Sequence, residues 1–498
     1  MNVVIVGGGS AGWMAAAAML REVEHAQITL IDKEVPVPLG VGEATLLGFE
    51  RFMRERCGFD SNEYLKALDV GLKAGILFPN WGYEGSAIWH PFYFLNYPFI
   101  SEGQPPIPMT DAWSNAKDVD FKKLLVLYQA SMSNIVDKNQ LDGGYALHID
   151  CIKLIEYIKS KILNDITFIN SEVKEIKKHR NGNISSLKLE NGRTISGDLF
   201  LDCTGFKSLL RDKRDRVDLT DRLYVDTAVA GPVEYQDRVS EFKPYTTCTA
   251  VDPGWIWNTP LQSRIGTGLV FNRTITPPEE AANFFCDHWN GRITPDDLKI
   301  IDWTPYYDKN MWEGNVVSIG LSAGFLEPLE STGLALIMES IATLNKLLNS
   351  GFYNEHDINY FNNRMVFSFE QCIDFVNAHY SKSTIQSPFW KYVRQNYKMS
   401  AAQEFYLKNM SSDDKSISGG KGFVFGAANW VHWLIQMGYD INPKKFIQIE
   451  NIDTFLEHLI DCEDRKLESG VDLFNNADFA DNFLQLKKPW SSSYEFYQ

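Results

Sequence analysis

Residues 2–6 read N-V-V-I-V, an apolar, β-branched run of the kind found in strands buried on both faces. After the turn G-G-G-S-A-G at 7–12, residues 13–20 are apolar and alanine-rich with no Gly or Pro, which predicts a helix. Residues 28–32, I-T-L-I-D, predict a second buried strand. Residues 39–45 are punctuated by glycine and predict a loop, 48–72 reads as a helix, and 73–78 alternates like a strand with Lys73 at its mouth. Residues 82–118 are rich in Gly, Pro and aromatic side chains, the composition of a long ordered loop, a lid over a site. Helices are predicted over 121–136 and 151–163. A meander of short strands then follows at 166–169, 172–177, 184–189 and 194–195, with hairpin signals at Asn181-Gly182 and Asn191-Gly192. Residues 197–206 and 315–320 each read as a buried strand ending in glycine. Residues 223–305 read as antiparallel strands, and the chain from 334 to about 475 is mostly helical in pattern.

These patterns predict an α/β protein: a doubly wound, Rossmann-like sheet domain with an antiparallel sheet insertion and a helical C-terminal region. The sheet domain is expected to be discontinuous, 1–222 with 306–345, the antiparallel sheet to occupy 223–305 and the helical part 346–498. At 498 residues and 44% hydrophobic content the chain can bury a sizeable core. A net charge of −16 argues against nucleic acid as a partner. The seven cysteines are scattered without C-x-x-C spacing, which points to reduced thiols and to no metal. With no signal peptide pattern and no apolar run of membrane-spanning length, the expectation is a cytoplasmic protein without a membrane anchor.

Strand, glycine turn and helix start form the context in which G-x-G-x-x-G binds a dinucleotide. Gly7 permits the turn, Gly9 lets backbone approach a pyrophosphate, and Gly12 lets helix and strand pack closely; Ser10 and Ala11 open the helix whose N–H groups face the anion. Asp32 ends the second strand at the spacing of a ribose-binding carboxylate. The loop holding Gly42, Glu43, Ala44 and Thr45 is expected beside the cofactor, and two later strand-turns bring Asp202, Gly320 and Phe325 toward it. A nicotinamide module needs fewer approaches, so FAD is the expected cofactor. Trp255 and Trp257 alternate on one strand face and either wall off the flavin or lie in the core. Thr332 and Gly333 at a helix start form either a small anion nest or an ordinary cap. Phe389, Trp390, Trp430 and Trp433 either suit an aromatic ligand or pack helices together.

The chain resembles the flavin-dependent halogenases of the tryptophan-halogenase type. The resemblance rests on G-G-G-S-A-G-W at 7–13, G-V-G-E-A-T at 40–45 and D-C-T-G at 202–205. It rests further on G-W-I-W-N-T-P at 254–260, similar to the family's W-x-W-x-I-P with Thr259 in place of Ile, and on F-L-E-P-L-E-S-T-G at 325–333, similar to its F-x-x-P-x-S-x-G. It implies that a separate flavin reductase supplies reduced FAD, which takes up oxygen to give a flavin hydroperoxide. Chloride, bromide or iodide held near Thr332 and Gly333 is then oxidised to hypohalous acid. Lys73, which precedes the I-x-F-x-x-W pattern at 76–81, would carry the halogen to a small electron-rich aromatic substrate of indole or phenol type. Glu330 would orient that species or accept a proton, with Ser331 supporting it. The substrate-clamping pattern of free-tryptophan halogenases is missing from the C-terminal half, so free tryptophan is not the expected substrate. A homo-oligomer fits this picture. A flavin monooxygenase that hydroxylates an aromatic ring and a non-catalytic flavoprotein are the competing readings; Asp142-Gly143 lacks the flanking residues of a monooxygenase motif.

Overall fold

The computed structural model describes residues 1–33, 42–73, 75–83, 85–91, 146–211, 215–243, 245–349, 353–411 and 424–439. The described residues divide into two compact units. The first holds those of Met1–Asp69, Ile149–Leu223 and Trp303–Glu370, the second those of Val70–His148, Tyr224–Asp302 and Gln371–Gln498.

In the first unit the Asn2–Val6 strand lies at the centre of a six-stranded sheet. Gln27–Asp32 and then Thr167–Asn170 lie parallel on one side of it. Leu199–Asp202 and then Val316–Ser318 lie parallel on the other, and Trp312–Glu313 closes that edge antiparallel. Early and late strands therefore diverge from the first one, a topological switch point, and the crevice at such a point is where open α/β sheets take their ligands. Val4, Val6, Ile31, Ile169 and Phe200 meet in a core on this sheet. The Ser10–Glu22 helix packs on Cys151–Ile162 and Thr332–Leu348. Its residues from Gly12 to Met19 are all buried, and four of them are consecutive alanines whose small side chains permit a close approach.

In the second unit a seven-stranded sheet runs Lys299–Asp302, Thr227–Val233, Ile265–Phe271, Gly254–Pro260, Thr246–Val251, Gly75–Pro79, Ala87–Pro91. All pairings are antiparallel except Gly75–Pro79 with Thr246–Val251. Val229, Ile256, Leu269 and Phe271 pack under the Pro278–His288 helix through Ala281 and Phe285.

Four expectations change. The stretch 48–72 is not one helix: Phe49–Arg51 continues as one wider turn, Phe52–Arg56, then breaks at Gly58, whose φ of +76° no helix interior accepts. Ser61–Ala67 is a second helix and Gly71–Lys73 a strand. Of the expected lid, residues 87–91 form a sheet strand with Ile88, Trp89 and His90 buried, and residues 92–118 lie outside the described residues, as does the helix expected over 121–136. The strand expected at 166–169 joins the parallel sheet rather than the meander, which keeps three strands. Finally, the described residues of 70–91 group with the second unit and not with the first: Gly75–Pro79 pairs with Thr246–Val251, and Gly71–Lys73 pairs with Ala146–Ile149 in a separate small sheet. The C-terminal region is helical where described: Glu355–His379, Pro388–Asn396, Ala401–Ser411 and Ala427–Gln436 follow Thr332–Leu348.

Candidate active site

The first unit gathers most of the expected cofactor residues at its switch point. Gly7 adopts φ +107°, and a Cβ there would sit 2.2 Å from the Cys203 carbonyl oxygen, so the first strand and the D-C-T-G strand meet at a position only glycine fills. A Cβ on Gly12 would lie 1.9 Å from the Gly7 carbonyl oxygen, which is the close strand-to-helix packing expected of the third glycine. At Gly9 an added Cβ meets nothing within 4 Å, and Gly9 caps the Ser10–Glu22 helix without a side-chain hydrogen bond. Open space before an uncapped helix start is what a pyrophosphate requires, and the residues present fit FAD. Asp32 reaches the same turn: its carboxylate would stand 2.6 Å from a Cβ on Gly8. Gly320, at φ +72°, lies 3.0 Å by its would-be Cβ from Ala11 Cβ, so the late strand-turn also arrives here.

The Glu43 carboxyl is raised above its ordinary pKa through desolvation by the surrounding protein. It hydrogen-bonds the Cys151 thiol, which in turn contacts Ser10 and is itself pushed well up by burial and by the nearby Glu43. Gly42 takes φ +72°, Ala44 is half-buried and Thr45 is buried. Asp202, buried, spends its carboxylate within its own loop. Oδ1 accepts from the Thr204 N–H at 3.1 Å and hydroxyl at 2.6 Å, and Oδ2 accepts from the Leu210 N–H at 2.7 Å. It shapes the turn after its strand. Burial raises its pKa against those hydrogen bonds. Phe325 is half-buried between the rings of Trp303 and Phe206, at 5.2 and 5.3 Å between centroids.

A second uncapped helix start lies in the same unit. Ser331, at φ +58°, precedes the 17-residue Thr332–Leu348 helix and makes no side-chain cap. Thr332 is buried and a Cβ on Gly333 would meet nothing within 4 Å, so a small anion has both room and a favourable dipole. Glu330 just before it is fully buried, as is Glu327.

Lys73, Trp255 and Trp257 belong to the second unit. Lys73 ends the Gly71–Lys73 strand at 0% exposure, which excludes a snorkelling surface lysine. The two tryptophans differ. Trp255 is fully buried and its indole N–H donates to the Tyr380 hydroxyl at 3.1 Å, so it is core. Trp257 is half-buried and lies flat over Gly268, its cross-strand partner, where a Cβ would come within 2.1 Å of the indole. Phe389, Trp390, Trp430 and Trp433 are core as well: Trp390 donates to the Val251 carbonyl at 2.8 Å, and Trp433 stacks on His379 at 3.6 Å.

Cys151, Gly268 and His148 escaped the sequence analysis. Gly268 carries a signal, since glycine inside a strand marks a close approach. His148, buried in A-L-H-I, carries a weaker one as a polar residue in an apolar strand. Cys151 carries none.

The tryptophan halogenase family profile matches residues 2–451. A tryptophan 7-halogenase of Lentzea aerocolonigenes is 30% identical over 423 residues, 78% of each chain. Among solved structures, a flavin-dependent halogenase from Xanthomonas campestris superposes with a TM-score of 0.82 at 26% identity, covering 95% of this chain and 97% of that one. A flavin-dependent halogenase from Brevundimonas sp. BAL3 gives 0.78 at 25% identity, covering 97% and 98%. No helix among the described residues is long and apolar enough to cross a membrane. With the dinucleotide turn in place and the profile spanning nearly the whole chain, the protein belongs to the tryptophan halogenase family of flavin-dependent enzymes.

Proposed function

We propose that this enzyme uses FAD, reduced by a separate reductase, to oxidise halide to hypohalous acid, and that Lys73 presents that acid to an indole- or phenol-type ring and drives halogen transfer as a proton donor. FAD, when bound, supplies the oxidising equivalent drawn from oxygen. Gly9 and the start of the Ser10–Glu22 helix would hold its pyrophosphate, with Asp32 and Glu43 as hydrogen-bonding carboxyl groups beside the turn. The N–H groups of Thr332 and Gly333 would hold the halide. Trp257, presented by Gly268, is the better of the two tryptophans for a shielding wall.

The observation that carries the reading is the burial of Lys73. Taking an ammonium out of water costs several kcal/mol, on the order of the penalty for any buried ion, and a surface lysine would avoid it. In the step assigned to it, hypohalous acid and an aromatic C–H give the aryl halide and water. The carbon–halogen bond forms as the oxygen–halogen bond breaks with its electron pair left on oxygen. The Lys73 ammonium donates the proton that makes water, and Glu330 takes up the ring proton.

The test is a reaction of the purified chain with FAD, an independent reductase, NADH, oxygen and each halide, offered a panel of indoles and phenols with a trap for hypohalous acid. Halide-dependent aryl halide is expected, and Lys73→Ala should lower it by about 100-fold or more while leaving FAD binding and oxygen consumption in place. Substantial product from Lys73→Ala removes the lysine from the chemistry. Oxygenated product formed without halide replaces the reading with a monooxygenase.

A further inference from the structure

His148 lies on the Ala146–Ile149 strand, antiparallel to Gly71–Lys73, with Gly71 opposite His148 and Lys73 opposite Ala146. Side chains two residues apart share a sheet face, so His148 and Lys73 are diagonal neighbours on one face, a spacing of about 7–8 Å or somewhat less at Cβ. Gly71 leaves the space that the imidazole uses: a Cβ there would lie 3.1 Å from His148 Nδ1 and 2.2 Å from the Pro260 carbonyl oxygen. The ring is fully buried, with Nδ1 3.1 Å from that carbonyl and Nε2 2.8 Å from the Thr246 hydroxyl oxygen. A carbonyl only accepts, so Nδ1 carries the proton; the neutral ring then accepts from Thr246 through Nε2. Burial first, and the nearby Lys73 charge second, both oppose a second proton on the ring. Pro260 ends the strand that carries Trp255 and Trp257, and Thr246 begins its neighbour.

We propose that His148 is a positioning residue for Lys73, a neutral pin that ties the strand paired with the lysine strand to the strand carrying Trp257 and to that strand's neighbour. This rests on the assignment of halogen transfer to Lys73. Its role is to keep the amine where the halogen is handed on, so its loss uncouples halide oxidation from ring halogenation without stopping the former.

Full-length His148→Phe, His148→Asn, Thr246→Val and Lys73→Ala are each loaded with FAD, and three quantities are read: oxygen consumed, hypohalous acid trapped and aryl halide formed. In His148→Phe, oxygen consumption is expected within about twofold of the unsubstituted enzyme, with aryl halide per oxygen down at least about tenfold and trapped acid raised. Thr246→Val, which keeps the ring, should shift the same ratio by less. His148→Asn, whose amide still donates to Pro260, should recover part of the loss. An unchanged ratio in both His148→Phe and Thr246→Val overturns the proposal, and so does a parallel fall of all three readouts with FAD content, which marks structural support alone. If His148→Phe does not fold, Thr246→Val decides. Product retained in Lys73→Ala defeats the reading of the lysine itself, whereas product lost there but not in the other variants defeats only the role of His148.

Discussion

The three glycines of the nucleotide turn do different work, and substitution should separate them. Gly9→Val finds room within the protein, so it should leave thermal stability within about 0.5 kcal/mol of the parent while abolishing FAD retention. Gly12→Ala drives a methyl against the Gly7 carbonyl and should destabilise by about 1–3 kcal/mol with or without flavin. Thermal melts of apoprotein paired with flavin absorbance after gel filtration check both. A Gly9→Val protein that still purifies with flavin would place the cofactor elsewhere. The spacing of these glycines was legible because their chemistry is local. What a Cβ at Gly7 or Gly8 would strike was not, since the Cys203 and Asp32 atoms involved arrive from neighbouring strands distant in sequence.

Short elements are held by cross-strand chemistry as much as by propensity. Arg216 lies directly opposite Asp308 in a three-stranded sheet, its Nε 3.1 Å from Oδ1 and its guanidinium 3.4 Å from the centroid of the Tyr306 ring. Asp308 is fully buried, and its Oδ2 finds no hydrogen-bond donor among the described residues; burial raises the carboxyl against the opposing pull of Arg216. Arg216→Met should therefore strand the carboxylate and cost about 3–5 kcal/mol in urea unfolding, and adding Asp308→Asn should recover part of it. If the single substitution proves neutral, the pair is not what joins these strands. A strand of this kind, Arg216–Asp218, is too short for period-two alternation to announce it. The hairpins at Asn181-Gly182 and Asn191-Gly192 were legible because the turn residues carry their own conformational preference; Gly182 and Gly192 do take positive φ.

Acid should act on the whole molecule through its buried titratable groups. His148 sits well below its ordinary pKa of 6.5 through burial and Lys73, and burial also lowers His288. The unfolded chain takes up protons near pH 6.5 that the native state refuses. Stability should accordingly fall as pH drops below that value, by up to about 1.4 kcal/mol per pH unit for each histidine. Asp202 and Asp308, raised by burial, act with the opposite sign: the native state takes up their protons at higher pH than the unfolded chain, which favours folding as pH falls toward 3.8. Unfolding free energies measured between about pH 7.5 and 5.5 should decline for the parent and decline less for His148→Asn. A slope unaffected by His148→Asn would mean that the ring is already protonated in the native state.

The strand–turn–helix, its acidic partner, the antiparallel sheet after residue 223 and the helix start at Thr332 were determined by the sequence itself, because each depends on neighbours along the chain. The burial of Lys73, the core position of Trp255 against the more open Trp257, and the membership of Gly75–Pro79 and Ala87–Pro91 in the antiparallel sheet were decided only by tertiary structure. Each depends on pairing between segments far apart, as when Ile76 meets Thr246 or His148 reaches Pro260. Local pattern carries no record of which distant backbone will supply the partner, and it is that partner which determines whether a lysine faces water or the protein interior.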